Sequence, residues 1–189
     1  MLQTIFSIDK SIMLFMQENL RGAILNPIMI FFSTIGNSGA VWLILGAFLI
    51  FSKRNKKAGL YVILSVALCY VFNDLIIKPI VARPRPFLEI EALTVLVSKP
   101  GSYSFPSGHA CAGFAASYVL TKFYGKKGAA FYALAVAISI SRPFVGVHYP
   151  SDILVGAIVG TVGSILLYRY VFPYFEDLIK RRKAQKDVK

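Results

Sequence analysis

Ser141-Arg142-Pro143-Phe144-Val145-Gly146-Val147-His148-Tyr149-Pro150-Ser151-Asp152 sets a cation, an imidazole and a carboxylate at the edge of an apolar segment that continues to about Phe172. Charged groups next to hydrocarbon cost roughly 2.5 to 3.5 kcal/mol each on insertion scales, so a cluster of them there points to a task as well as to a membrane. Around this stretch the chain is built of apolar blocks separated by short basic clusters. That is the pattern of several spanning helices rather than of one buried core.

The composition agrees. Of the 189 residues 56% are apolar and 14% aromatic, and the mean hydropathy is +0.63. The reading is a single all-α domain over residues 1–189, a polytopic membrane bundle of six transmembrane helices with an N-terminal amphipathic helix at the interface. The net charge of +12 lies mostly in Lys53-Arg54-Lys56-Lys57, Lys122-Lys126-Lys127 and Lys180-Arg181-Arg182-Lys183-Lys186-Lys189. These are topology signals beside spans, and no soluble domain remains to present a basic face to nucleic acid. Cys69 and Cys111 sit in apolar surroundings and read as buried free thiols. The N-terminus lacks the basic start and cleavage site of a signal peptide, so the first span serves as the insertion signal.

Ile5, Ile8, Ile12, Phe15 and Met16 recur at helical spacing with Asp9, Lys10, Gln17 and Glu18 between them, which predicts the interfacial helix over residues 5–20. Residues 22–51 are apolar but broken at Gly36-Asn37-Ser38-Gly39 and read as two short spans joined by a tight turn. Further spans are predicted over 58–77, from Gly108 or His109 to about 124, over 129–140, and over 151–172. Gly156 and Gly160 give the last of these the small-residue spacing of close helix packing. The positive-inside rule places the loop at 53–57, the loop at 126–127 and the C-terminal tail, read as a frayed helix, in the cytoplasm. The loops 78–106 and 142–150 then face outward, yet they carry Lys78, Arg83, Arg85 and Arg142 against the charge rule. A shared anionic ligand supplies the reason.

Three segments converge on that outer face: Lys78 with six residues to Arg85-Pro86, then Pro106-Ser107-Gly108-His109, then Arg142 with five residues to His148 and three more to Asp152. A phosphate spreads its charge over its oxygens and is held best by planar Arg forks, a Lys point charge and backbone N–H groups. Lys78, Arg85 and Arg142 supply the cations. Ser107 as helix-capping residue and Gly108 leave free N–H groups and a positive dipole end at the start of a helix. Asp152, four residues after His148, is spaced to fix the tautomer of that ring and leave its other nitrogen free as a nucleophile. His109 is placed to protonate the departing oxygen.

These three segments resemble the signature motifs of the type 2 phosphatidic acid phosphatase superfamily. The motifs cover residues 78–152, and the helical layout extends the similarity over nearly the whole chain. The resemblance implies a metal-independent phosphatase without a cofactor. It implies a phosphohistidine on His148, oriented by Asp152, with His109 as acid and base, and phosphate held by Lys78, Arg85, Ser107, Gly108 and Arg142. It also favours two short spans within residues 22–51. The implied partner is a lipid phosphate delivered from the bilayer at the plasma membrane, with undecaprenyl diphosphate ahead of phosphatidylglycerophosphate or phosphatidic acid.

Two other classes compete. A protein that binds or transports a phosphorylated lipid without cleaving it would use the same cations but has no need of paired histidines and Asp152. A vanadium haloperoxidase would use a similar anion pocket but lacks the spans. Among the remaining residues, Arg83 reads as a surface or headgroup contact, Asn37 as satisfying backbone groups in its turn, and Ser141 as a helix-end hydroxyl. Tyr103, Phe105, Phe144 and Trp42 read as interface or packing aromatics.

Overall fold

The computed structural model describes residues 2–52, 55–174, 176, 177 and 181. Lys53 and Arg54 of the first basic cluster, and the tail predicted as a frayed helix apart from Tyr174, Glu176, Asp177 and Arg181, lie outside the described residues. Regular structure among the described residues is helical: α1 (Leu2–Asn19), α2 (Leu25–Ile35), α3 (Ala40–Phe51), α4 (Lys56–Cys69), α5 (Lys78–Val81), α6 (Pro86–Glu89), α7 (Gly108–Tyr124), α8 (Lys126–Ala129), α9 (Phe131–Phe144) and α10 (Pro150–Leu166). A π-helical stretch, Tyr70–Ile77, joins α4 to α5, and another, Leu167–Val171, extends α10.

The bundle is organised around α7, which packs against α4, α9 and α10. Its buried face is made of Ala110, Cys111, Ala112, Gly113, Ala115, Ala116 and Ser117. Small side chains let neighbouring backbones close in, which replaces the missing hydrophobic drive between helices in lipid. Where α10 crosses it, a Cβ on Gly160 would lie 2.2 Å from the Cys111 carbonyl oxygen. Away from this axis, Trp42, Tyr61, Val62, Val66, Val119, Leu120 and Ile138 form the main apolar core. Tyr61 stacks on Phe172 with ring centroids 3.7 Å apart.

The outer surface is apolar as well, with Ile44, Phe48, Phe51, Leu154 and Ile158 all more than half exposed. So wide an apolar surface is what a membrane protein presents to lipid. Two helical stretches, Lys56–Glu89 and Pro150–Tyr174, are long and apolar enough to cross a bilayer, and the pair Leu25–Ile35 with Asn37–Phe51 makes a third if it is one span. That pair bends by 51° at its break, far short of a reversal. Its start is pinned where Arg21 donates to the Phe144 carbonyl at the end of α9, while near its other end Gly46 packs on Gly59 at the start of α4. The tight turn expected within residues 22–51 is thus a bend between two helices, as in a broken span or a re-entrant loop. Where six transmembrane helices are expected, two stretches among the described residues, or three with the bent pair counted as one span, have the length and apolar character to cross a bilayer.

A second boundary moves. The outward loop was expected to begin at Arg142, but α9 continues to Phe144 with Pro143 in its last turn, so Arg142 is held on a helix. At the same end of the bundle α1 packs against the starting turn of α10 and the connection that follows α6. There Met13 joins Ile90, Leu93 and Tyr149 in a small buried cluster, and Gln17 donates to the Ala92 carbonyl at 2.9 Å.

Candidate active site

The start of α7, the end of α9, the turn that leads into α10 and the connection between α5 and α7 meet around a cavity of about 660 Å³. Lys78, Arg85, Gly108, His109, Arg142 and His148 all line it. Six of the eight residues singled out in the sequence thus share one wall system, although they come from three separated segments of the chain. Leu43, Val66, Ala67, Tyr70 and Ala112 also line it, so apolar side chains share the wall with the charged ones.

His148 lies in the tight connection between α9 and α10 and is only 2% exposed. Its Nδ1 is 3.4 Å from Asp152 Oδ2 and 3.4 Å from Ser104 Oγ. Its Nε2 faces Arg85 Nη1 at 3.4 Å. A carboxylate on Nδ1 selects the tautomer in which Nε2 carries the lone pair. Burial, with Arg85 and Arg142 nearby, holds the imidazole pKa down at about 3 against the pull of Asp152, so the ring is neutral at physiological pH.

Asp152 stands behind the cavity wall, fully buried. It closes the first turn of α10 by accepting the Tyr149 N–H at 2.9 Å, and Oδ2 also takes a hydrogen bond from Ser104 Oγ. Its Oδ1 accepts from Arg83 Nη1 at 2.7 Å. This many donors keep a buried carboxylate ionised.

The cations are held by different means. Arg85 is fixed by donating to the Ser102 carbonyl at 2.6 Å and the Val147 carbonyl at 2.7 Å. Arg142, 4% exposed, donates through Nη1 to Ser33 Oγ. Its Nε has no hydrogen-bond partner among the described residues. Lys78 pairs with Asp74, four residues back on the π-helical stretch. The wider turn there also lets buried Asn73 donate to the Pro106 carbonyl at 3.1 Å, tying Lys78's helix to the entrance of α7.

At that entrance Ser107 occupies the N-cap position, but its hydroxyl makes no capping bond. The side chain is enclosed, its N–H donates to the Asp152 carbonyl at 3.0 Å, and its Oγ has no partner among the described residues. The expected capping bond is absent because the starts of α7 and α10 are locked backbone to backbone. Next to it, a Cβ on Gly108 would lie 2.9 Å from Asp74 Oδ2, so a larger residue there would push on the carboxylate that pairs with Lys78. His109 Nε2 lies 3.2 Å from Asn37 Oδ1.

Four residues at or behind this site had been given no part in it, or a bland one. Asn37 meets the His109 ring rather than only its own turn, and Arg83 binds Asp152 rather than a headgroup. Ser104 and Asp9 had no role at all. Ser104 lies two residues before Pro106, and Asp9 sits inside the amphipathic pattern; no spacing rule marks either.

Residues 58–176 match the PAP2 superfamily, described by that name. An undecaprenyl-diphosphatase of Sulfolobus acidocaldarius is 35% identical over 148 residues, which are 76% of this chain and 69% of that relative. Among solved structures, that of Aquifex aeolicus LpxE superposes with a TM-score of 0.72 at 27% identity, over 85% of this chain and 94% of that one. The transmembrane PAP2-type phosphatidylglycerolphosphate phosphatase of Bacillus subtilis superposes with a TM-score of 0.69 at 29% identity, over 94% and 89%. With its three motif segments on one cavity, and the matched region running through well over half of its length, this chain belongs to the PAP2 superfamily.

Proposed function

We propose that this PAP2-type lipid phosphatase removes phosphate from a lipid phosphate or diphosphate at the outer face of the plasma membrane, through a phosphohistidine on His148 and without a metal. The observation that carries the reading is the division of labour on the His148 ring. Nδ1 is turned to Asp152, while Nε2 faces the cavity beside Arg85.

In the proposed reaction Lys78, Arg85, Arg142 and the N–H groups at Ser107–Gly108 hold the phosphoryl oxygens and take up the charge that grows in the transition state. His148 Nε2 attacks phosphorus, the bond from phosphorus to the lipid oxygen breaks, and His109 gives that oxygen a proton. Water then attacks the phosphohistidine, His109 takes the proton of the water, and the P–N bond breaks to release inorganic phosphate and neutral His148. The apolar lining of Leu43, Val66 and Tyr70 suits a lipid chain entering sideways from the bilayer.

Undecaprenyl diphosphate is the substrate favoured by the similarity to the undecaprenyl-diphosphatase. Phosphatidylglycerophosphate is the second reading, favoured by the length over which the Bacillus subtilis structure superposes. Purified protein assayed with a chelator present should release inorganic phosphate from one of these lipids, and His148→Ala should abolish the release. Full activity in that variant would sink the mechanism. A lipid-binding or transport protein would release no phosphate in any arm.

A further inference from the structure

We infer that Asp9 and Arg83 are positioning residues for His148, joined to Asp152 in a line of charges that makes α1 part of the active site. The inference rests on the reading of His148 as the nucleophile oriented by Asp152.

The geometry is specific. Arg83 sits over the Tyr149 ring, its guanidinium carbon 3.8 Å from the centroid. Nη1 donates to Asp152 Oδ1 at 2.7 Å and to Ser151 Oγ at 2.8 Å. Nη2 donates to Asp9 Oδ2 at 2.9 Å. Asp9 is 2% exposed, and its Oδ1 accepts the Ser151 N–H at 2.9 Å. One carboxylate from α1 therefore holds both the arginine and the first turn of α10, where Asp152 is mounted.

The two oxygens of Asp152 divide their partners. Oδ2 takes Ser104, the Tyr149 N–H and the side facing His148, whereas Arg83 is the charged partner of Oδ1. Without Arg83 that buried oxygen loses its charged donor and the carboxylate is free to rotate away from the ring. Without the charge of Asp9, Arg83 is left to neutralise Asp152 alone, and a neutralised carboxylate supports a positive imidazole less well. Two carboxylates against one guanidinium thus keep Asp152 both anchored and electron-rich.

A merely structural pair would hold α1 in place and do nothing to the imidazole, and the pH profile of kcat separates the two cases. His148 is also faced by Arg85 from the connection after α5, by Arg142 from α9 and by His109 from α7, and these stay unchanged in the variants. Asp9→Asn removes a negative charge from the line, so the acid limb of kcat should move to lower pH. Arg83→Gln removes a positive charge, so the limb should move to higher pH.

The test is steady-state hydrolysis of undecaprenyl diphosphate in detergent micelles by the wild-type full chain, Asp9→Asn, Arg83→Gln and His148→Ala. Arg83→Gln is expected to lose roughly 10- to 100-fold in kcat, with KM unchanged within about twofold. The two acid limbs are expected to move in opposite directions. Wild-type kcat in both variants, or limbs that stay put or move together, overturns the inference. Should Arg83→Gln fail to fold, Asp9→Asn decides alone, since an unmoved limb in that variant overturns the inference as well. Phosphate release persisting in His148→Ala instead overturns the nucleophile reading, and so marks a different failure.

Discussion

Arg142 illustrates how a single side chain can be expensive for the fold and useful to the site. It is a guanidinium 4% exposed, with Ser33 Oγ on Nη1 and no partner for Nε among the described residues. A buried cation so lightly paired costs several kcal/mol of desolvation that its neighbours do not return. The expected outcome for Arg142→Met, which keeps the apolar stem and drops the charge, is a higher melting temperature in detergent together with a loss of about 100-fold or more in kcat/KM. A variant that melts lower and hydrolyses normally would show that Arg142 serves packing alone. At this scale the sequence exposed the residues that line the cavity, because motif spacing selects for chemistry. It did not expose Arg83. Arg83 and Arg85 sit two residues apart in the same Arg-Pro-Arg-Pro run, yet one faces the cavity and the other backs Asp152. The spacing from Lys78 picks out Arg85, but nothing in it says that Arg83 turns to Asp152.

Among elements, the contact between α7 and α10 sets the site, since it brings Gly108 and His109 of one helix against the turn that carries His148 and Asp152. Three glycines along α10 look alike in sequence and differ in the fold. A Cβ on Gly156 would come within 2.5 Å of the Ser107 carbonyl oxygen, and one on Gly160 within 2.2 Å of that of Cys111, whereas Gly163 has nothing within 4 Å. Gly160→Ala must therefore push the two backbones apart, a strain of about 1 to 3 kcal/mol, and should lower both the melting temperature and kcat. Gly163→Ala should be neutral or stabilising by up to about 1 kcal/mol, because alanine is the better helix former. Equal effects of the two substitutions in a melting experiment would remove the α7–α10 contact as the explanation. The small-residue spacing of Gly156 and Gly160 was readable because close packing in lipid demands it. The course of α2 and α3 was not. A Gly-Asn-Ser-Gly break is compatible with a reversal or a bend, and which occurs depends on partners such as Phe144 and Gly59 that lie far away in sequence.

For the molecule as a whole, charge is divided between two ends of the bundle by two different causes. At one end Lys57, Lys122, Lys126 and Lys127 are exposed, and Lys57 pairs with Glu176 across 2.6 Å. At the other end Lys78, Arg85 and Arg142 are buried around the cavity. Exposed lysines beside spans obey the positive-inside rule, which acts on residues near the ends of the spans during insertion. Buried arginines in a ligand cavity answer to the ligand instead, so they do not vote on topology. We propose from these exposed lysines that the cavity opens outside the cytoplasm, within reach of a lipid on the outer leaflet. The expected result is asymmetric labelling. Gly101 is exposed with open space around it, and a cysteine introduced there by Gly101→Cys should react with a membrane-impermeant maleimide in intact cells. One introduced by Lys127→Cys should react only after the membrane is permeabilised. The native thiols do not confuse the readout, since Cys69 and Cys111 are both buried. Labelling of the Lys127→Cys protein in intact cells, with Gly101→Cys protected, would invert the topology and move the proposed substrate to the inner leaflet.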